Sequence, residues 1–399
     1  MFTPLPFHIV GVSHHTASVA VREQLALTAD EIASWLEREL RAERSLMVLA
    51  TCNRLELYWW GDDDQHASLL GLARKQGIML DAGTVYRRDG LAAVNHLFRV
   101  ASGLDSQVMG EYEILGQLRR AHEQAQAVGT TTWQLDAAVT AALTTGRRVR
   151  RETALGRHPG SVASAALAQA ALCWSGSLAD RRLLLLGAGE VADGVLRGLE
   201  SHPYSTLVVA NRTAHRAETL ASSRGAEAVS WEALPTELVR ADVVIAATAA
   251  PQPVLEAALL AAALESRGGS PIVVLDLALP RNVDPLARDV PGVRLFDLDD
   301  LRLEHCPAVS GAAPSIEEAE AIIRDAITRF GRTLRIRAAA PHLAELHSLG
   351  ERLAEEEAER ALAELETLSA EEREVVRRMA SRLVRRLLYP ASQKIRQNL

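Results

Sequence analysis

From Arg54 the chain alternates strictly. Leu55, Leu57 and Trp59 fall on one side and Arg54, Glu56 and Tyr58 on the other, a period of two that predicts a strand. A short apolar run at 46–49 precedes it, so residues 51–53 mark a break between two strands. Residues 7–13 (FHIVGVS) read as the first strand. Helical spacing follows at 20–27 and again at 28–44, with Thr28 or Asp30 as cap. Residues 90–155 read as helical throughout, punctuated by Gly103, Gly110, Gly129 and Gly146. This first part is a mixed α+β unit.

The pattern changes at 156–160 (GRHPG). After a helix at 161–174, apolar runs in RRLLLLG, STLVVANR, ADVVIAATA and SPIVVLDLALP alternate with helical stretches. Runs that stay apolar, instead of alternating, mean strands covered on both faces, hence a doubly wound parallel sheet. Beyond residue 300 and the stretch CPAVSGAAPS the chain is helical to its end. Ser315 and Glu318 form a capping-box pattern there. Leu343, Leu346, Leu349, Leu353, Leu362, Leu365 and Leu368 make an apolar stripe. It either covers a second copy or closes an intramolecular bundle, and the stripe alone favours neither.

Composition narrows the class. The 399 residues, 48% hydrophobic and 24% charged, exclude a disordered, collagen-like or disulfide-scaffold chain and leave room for two or three domains. Cys52, Cys173 and Cys306 include no CxxC pair, so neither a disulfide framework nor a cysteine zinc site is expected. The opening MFTPLPFHIVGVSHH lacks a basic segment ahead of an apolar one. The apolar stretches at 241–250 and 253–263 are broken by Asp242, Pro251, Pro253 and Glu256. A reduced, cytoplasmic protein without a membrane partner is the expectation. The net charge of −7 counts against general nucleic-acid affinity and leaves only local basic patches, at Arg119-Arg120, at Arg147-Arg148-Arg150-Arg151 and in the tail from Arg373. Residues 341–372 carry ten acids and two bases, residues 373–399 eight bases and one acid. This split reads first as helix faces pairing with each other and second as an RNA-facing surface.

Two constellations carry chemistry. Gly187-Ala188-Gly189-Glu190-Val191-Ala192 is a G-x-G-x-x-A turn directly after an apolar strand and at the head of a helix. Gly187 permits the tight turn, Gly189 the approach of a pyrophosphate, and Ala192 close helix–strand packing. At the end of the next strand Asn211-Arg212-Thr213 stands where an NAD enzyme usually has an acid. Arg212 can take a 2′-phosphate, which favours NADPH; the competing reading makes it a helix-start cation. Cys52 lies in Ala50-Thr51-Cys52-Asn53-Arg54. A lone cysteine is most often a small buried hydrophobe, but Arg54 two residues on can stabilise a thiolate or bind a carboxylate. A thiol nucleophile beside a nicotinamide domain points to a thioester reduced by hydride. No ligand cluster with metal spacing is present, and His14-His15 on adjacent strand positions point to opposite faces.

This set of motifs resembles glutamyl-tRNA reductase. ATCNRLELY (50–58), GVSHHTASVAVREQLAL (11–27), HLFRVASGLDSQVMGEYEILGQ (96–117), GRRVRRET (146–153), GAGEVA (187–192), ANRT (210–213), LDLALPRNVDP (275–285) and LVRRLLYPAS (383–392) occur in the family's order. The resemblance implies a multidomain α/β chain with three parts. These are an α+β catalytic domain binding glutamyl-tRNA(Glu) (1–155), a Rossmann-like NADPH domain (156–312), and a C-terminal α-helical linker and dimerisation domain (313–399) built along a long helix. It implies Cys52 as nucleophile toward the aminoacyl ester and Arg54 as the grip on the glutamate carboxylate. Thr51, Asn53, Ser106, Glu111, Tyr112, Glu113 and Gln117 would line that pocket. His96 would orient substrate or act as acid/base, although on its apolar helix (Val94, Leu97, Val100) such a residue is more often a satisfied core histidine. His14 matches a family position without an assigned role. NADPH would lie on 187–192 and Arg212. The product would be glutamate-1-semialdehyde, opening tetrapyrrole synthesis by the C5 route. A homodimer and a transient complex with glutamate-1-semialdehyde aminomutase are the implied partners. Ser18, Tyr112-Glu113 and Tyr389 depart from the family's usual residues. Two other readings remain: an NADPH dehydrogenase of a small metabolite, similar to shikimate dehydrogenase in its middle part, and a non-catalytic regulator binding tRNA and NADPH.

Overall fold

The computed structural model describes residues 5–81, 83–108, 110, 111, 113–156, 161–301, 313–365 and 368–398. Its first elements are β1 (Phe7–Ser13), α1 (Val19–Gln24), α2 (Ala29–Arg41), β2 (Met47–Ala50), β3 (Arg54–Trp60), α3 (His66–Lys75), β4 (Tyr86–Asp89), α4 (Gly90–Ala101), α5 (Glu113–Val128) and α6 (Trp133–Glu152). The strands form an antiparallel sheet in the order β2-β3-β1-β4. Thr28 caps α2 through a capping box with Glu31. The alternation after Arg54 does form β3, but both its faces are buried. The Arg54–Glu56–Tyr58 face is thus enclosed. Gly11 on β1 stands opposite Glu56 on β3 and Tyr86 on β4, and a Cβ there would lie 2.7 Å from Glu56 Cγ; only glycine leaves that side chain its place.

The region 90–155 is not continuous helix. Positive φ at Gly103, Gly110 and Gly129 separates its helices as expected, but Gly146 does not. It lies inside α6, where a Cβ would collide with the Ala101 carbonyl at the end of α4. Close helix packing, not a break, accounts for this glycine.

The second sheet is built from α7 (Val162–Cys173), β5 (Arg182–Leu186), α8 (Glu190–Leu199), β6 (Thr206–Ala210), α9 (Ala214–Ser222), β7 (Glu227–Val229), α10 (Leu234–Arg240), β8 (Val243–Ala246), α11 (Ala257–Ser266), β9 (Ile272–Asp276) and β10 (Val293–Phe296). All six strands are parallel, in the order β10-β9-β8-β5-β6-β7. Alternate residues of each strand enter different cores. Leu183, Leu185, Val209 and Ile245 pack with α7, α8 and α9, whereas Leu184, Leu186, Val208 and Val244 pack with α10 and α11. Burial of both faces explains the unbroken apolar runs. Strand order reverses at β5, with β6 on one side and β8 on the other, which places a ligand crevice beyond the β5 carboxyl end.

By its internal contacts the chain divides into two compact units, Met1–Ile323 and Arg324–Leu399. Both sheets belong to the first. The 52-residue helix α12 (Ala313–Glu364), which contains Pro341, runs into the second, where α13 (Ala370–Asn398) turns back along it. Arg377 pairs with Glu359 at 2.6 Å, Arg385 with Glu351 at 3.3 Å, and His347 meets Ser392 at 2.9 Å, so the two helices run antiparallel. The acidic and basic blocks of the tail therefore face each other. Ser315 lies inside α12, not at its cap; the capping box of this region is Ser369 with Glu372 at the start of α13. Among the described residues no helix is long and apolar enough to cross a membrane.

Candidate active site

Residues 51–53 turn the chain from β2 into β3. The Thr51 hydroxyl accepts from the backbone N–H of Asn53 (3.1 Å) and Arg54 (3.2 Å), and the Thr51 N–H donates to the Arg54 carbonyl (2.8 Å). Cys52 is left at the apex. From outside, the His14 N–H donates to the Asn53 carbonyl at 2.9 Å, and Arg22 Nη1 donates to the Cys52 carbonyl (2.5 Å) and Asn53 Oδ1 (3.0 Å). The loop is thereby fixed before any substrate arrives. A cavity of about 100 Å³ adjoins it, lined by Cys52, Thr51, Arg22, Arg54, Leu25 and, from the second sheet's side, Leu279 among others.

Arg54 is fully buried. Nη1 donates to Glu56 (2.8 Å) and Asp105 Oδ2 (3.0 Å), and Nη2 to the Asp105 carbonyl (2.5 Å). Glu56 also receives hydrogen bonds from Tyr58, Tyr86 and His96, the last at 2.7 Å. Burial pushes the Glu56 carboxyl up, but the charge of Arg54, followed by His96 and Tyr58, outweighs it and holds the group well below the usual carboxylate range. Glu56 is therefore ionised and can only accept, so His96 Nε2 carries the proton between them. Glu56, His96 and Asp105 bring ligand-type atoms within 4.8 Å of one another, but the Arg54 guanidinium bonds two of the three and supplies the cation they hold.

Burial pushes the half-buried Cys52 thiol up to about 12, with the charges of Glu111 and then Glu113 adding to it and Arg22 opposing. Glu111 is itself pushed up to about 7 by burial, aided by Glu113 and opposed by Ser106, Arg54 and Arg150. Glu113 is raised by burial, against the charge of Arg197. The resting thiol is thus protonated near neutral pH. Substituting Glu111→Gln removes a negative charge that opposes thiolate formation once pH exceeds about 7. Alkylation of Cys52 by iodoacetamide at pH 8 is expected to speed up by about threefold or more. An unchanged or slower rate by peptide mass spectrometry would remove Glu111 from the thiol's surroundings.

Of the residues expected at this site, the structure joins Thr51, Cys52, Asn53 and Arg54 directly. It adds Glu111 and Glu113 through their charge and His96 through Glu56. Ser106 is buried in the turn after Asp105, and Gln117 lies half-buried on α5, one turn beyond Glu113. Tyr112 lies outside the described residues, as does Cys306. His14 and His15 do not diverge as strand positions would: β1 ends at Ser13, and the two rings lie 3.9 Å apart. Burial, then the charge of His15, lower the His14 ring to about 3, so it is neutral at working pH. Sequence reading missed Glu56, Tyr86, Asp105 and Arg22. Glu56 was visible in principle, two residues from Arg54 on the same strand face; the others meet the site only through folding.

At the second sheet Gly187 has φ +113° and packs onto Ala247 so closely that a Cβ would collide with its carbonyl, so the protein's own turn demands glycine. Gly189, the cap of α8, has ordinary extended backbone, and a Cβ there would meet nothing within 4 Å. Its bareness serves no internal contact and leaves open the space a diphosphate needs at the α8 N-terminus. Ala192 is buried against the sheet, Val191 packs beside the same core, Ala188 is half-buried, and exposed Glu190 pairs with Arg120 at 3.2 Å. Arg212 is exposed at the carboxyl end of β6. The 275–285 segment is held by Asp276, which accepts from the N–H groups of Asn282 (2.9 Å), Val283 (2.9 Å) and Ala278 (3.2 Å). Asn282 in turn accepts from Thr248 at 2.8 Å and so closes the floor beside Gly187.

Three family models match the chain: Glutamyl-tRNAGlu reductase, N-terminal domain, at residues 10–153; Shikimate / quinate 5-dehydrogenase at 167–304; and Glutamyl-tRNAGlu reductase, dimerisation domain, at 318–398. Glutamyl-tRNA reductase of Alcanivorax borkumensis is 36% identical over 391 residues, covering 97% of this chain and 93% of that protein. That of Myxococcus xanthus is 35% identical, covering 97% and 88%. The solved glutamyl-tRNA reductase from Methanopyrus kandleri is similar over 98% of both chains, at 31% identity and a TM-score of 0.48.

Proposed function

The chain belongs to the glutamyl-tRNA reductase family, and from that premise we propose that Cys52 is the nucleophile toward glutamyl-tRNA(Glu) and that residues 187–192 with Arg212 hold NADPH. The activity is reduction of L-glutamyl-tRNA(Glu) to glutamate-1-semialdehyde, the first step of tetrapyrrole biosynthesis by the C5 route. The observation that carries the residue assignment is a single thiol at the apex of a loop pinned on all sides, above a buried guanidinium.

In this reading the aminoacyl ester enters the cavity beside Cys52. The thiol must lose its proton, and we assign Glu111 to receive it, a carboxyl whose charge acts on the thiol and which burial pushes up to about 7. The sulfur attacks the ester carbonyl, the C–O bond to the tRNA ribose breaks, and a glutamyl thioester remains on Cys52. A nicotinamide cofactor, its diphosphate held at residues 187–192, would supply the hydride; as the thioester carbon accepts it the C–S bond breaks, the Cys52 sulfur is returned and takes up a proton, and the aldehyde is released. Arg54 grips the substrate carboxylate while Glu56 and Asp105 hold its plane, and Thr51, Asn53, Ser106, Glu113 and Gln117 complete the pocket. His96 reaches this assembly through Glu56, so we assign it the orienting role and not the acid/base one.

The dehydrogenase-like domain makes the cofactor a nicotinamide; exposed Arg212 and the absence of an acid at Asn211 support NADPH specifically. Arg212→Gln is expected to raise KM for NADPH by about tenfold and leave that for NADH nearly unchanged. Equal effects on both would separate Arg212 from the 2′-phosphate.

The chain forms a dimer through its C-terminal helices. The exposed apolar residues Leu349, Leu353, Met379, Leu383 and Leu387 are our candidates for that face. We place the domain boundaries at 1–155, 156–312 and 313–399, the enzyme in the cytoplasm with its charged tRNA, and the labile aldehyde in direct transfer to the aminomutase. The test is product formation. Purified chain with glutamyl-tRNA(Glu) and NADPH should yield glutamate-1-semialdehyde, and with NADP+ in place of NADPH it should leave shikimate and quinate untouched; oxidation of either by NADP+, with no semialdehyde formed from glutamyl-tRNA and NADPH, would make the chain a small-metabolite dehydrogenase.

A further inference from the structure

We propose that Arg22 is a positioning residue that makes the geometry of the Cys52 loop depend on docking of the second sheet against α1. Arg22 lies on α1 and is only 4% exposed. One end of its guanidinium holds the Cys52 carbonyl and Asn53 Oδ1, and the other, Nη2, donates to Asp299 Oδ1 at 2.6 Å. Asp299 stands just after β10, 277 residues away in sequence. A single planar fork thus touches both the nucleophile's own peptide unit and the segment that leaves the second sheet's edge strand β10.

The contact is built, not incidental. Asp299 Oδ2 accepts from the Val19 N–H, the first of α1, at 2.6 Å. The natural cap, Ser18, makes no side-chain bond to the helix, so α1 is capped from the second sheet's side. Glu23, the next residue, accepts from Arg281 Nε at 2.8 Å and Nη2 at 2.5 Å. Gln107 donates to the Leu298 carbonyl beside Asp299. Among the described residues Arg22 Nε is buried without a hydrogen-bond partner and Asp299 is the carboxylate that Arg22 pairs with, so the guanidinium relies on Asp299 for its charge balance. Two charge pairs and a helix cap, each made of groups that water can solvate on separation, describe a breakable contact.

Separating the two sides would leave Arg22 a buried cation without its carboxylate, a costly state that is relieved by its moving toward solvent or another acceptor. Either movement releases the Cys52 carbonyl. The loop is therefore set most firmly when the nucleotide-binding sheet is in place, which is the arrangement in which a thioester has to meet hydride. This use of the coupling rests on the reading of Cys52 as nucleophile; the coupling itself does not.

The experiment uses the full chain as wild type, Asp299→Asn, Asp299→Glu and Glu23→Gln, and follows iodoacetamide modification of Cys52 and Cys173 by peptide mass spectrometry between pH 6.5 and 9. Asp299→Asn leaves Arg22 with more free charge beside the thiol and loosens the loop. Cys52 modification is expected to rise about threefold or more with its pH profile displaced to lower pH, while Cys173 is unchanged. Asp299→Glu should return the rate toward wild type, and Glu23→Gln should raise it less. In parallel, transfer of glutamate from glutamyl-tRNA to Cys52 should slow about tenfold in rate constant with little change in KM. Cys52 modification within about twofold of wild type in Asp299→Asn, at every pH, overturns the coupling. A faster reaction in that variant, in a protein whose wild type forms no glutamyl adduct, upholds the coupling and removes the nucleophile assignment.

Discussion

Cys52→Ser is expected to lower reduction of glutamyl-tRNA by about 10³-fold or more while the protein folds and binds its nicotinamide cofactor as before. The substitution is nearly isosteric, and the hydrogen bonds that shape its loop come from Thr51, Asn53 and Arg22, none of which uses the sulfur. What is lost is chemical: a serine alkoxide is far harder to form, and the oxygen ester it makes is a poorer hydride acceptor than a thioester. The nucleotide turn lies on another sheet, so cofactor binding by fluorescence titration should be untouched. Retained reduction in this variant would mean that hydride reaches the aminoacyl ester without a covalent intermediate.

Arg54 carries the second large effect, and two substitutions separate its roles. Arg54→Ala removes the cation from a buried set of acceptors and is expected to cost about 3–5 kcal/mol of stability by denaturant unfolding, as breaking a buried ion pair does. Arg54→Lys keeps the charge, but one ammonium cannot bridge Glu56, the Asp105 carboxylate and the Asp105 carbonyl together. A folded protein with activity reduced by about 10²-fold is expected, with the loss divided between KM and kcat. The network also sets acid sensitivity. Folding depresses the Glu56 carboxyl below its ordinary value of 4.5, so its contribution is complete above that pH and is lost as pH falls toward the folded value. Arg54→Lys should weaken that dependence; an identical acid-unfolding curve would contradict the pairing.

The two sheets were legible because their apolar patterns differ. Strict alternation after Arg54 matches β3 of an antiparallel sheet, and unbroken runs such as Leu183 to Leu186 match strands covered on both faces. The G-x-G-x-x-A turn and the Thr51-Cys52-Asn53-Arg54 segment were legible because their chemistry is local. Burial of the Arg54 face was not: a period of two is the same whether the polar side meets water or a second polar layer from β4 and α4. Tyr86 and His96, which make that layer, lie 30 and 40 residues from Glu56. The bonds from Arg22 to Asp299 and from Glu23 to Arg281 span more than 250 residues, beyond any periodicity. Glycine and serine misled for a related reason. Gly146 inside α6 and Ser315 inside α12 have the residue types of helix ends, yet tertiary packing and a longer helix decide their surroundings.

The proposed reaction requires a covalent glutamyl–Cys52 intermediate. Wild-type chain incubated with radiolabelled glutamyl-tRNA(Glu) and no reductant should retain the label after acid precipitation, with the adduct mapped to the Cys52 peptide, and added NADPH should discharge it as glutamate-1-semialdehyde. Label that stays on the tRNA, or an adduct mapped to another residue, would contradict the assignment.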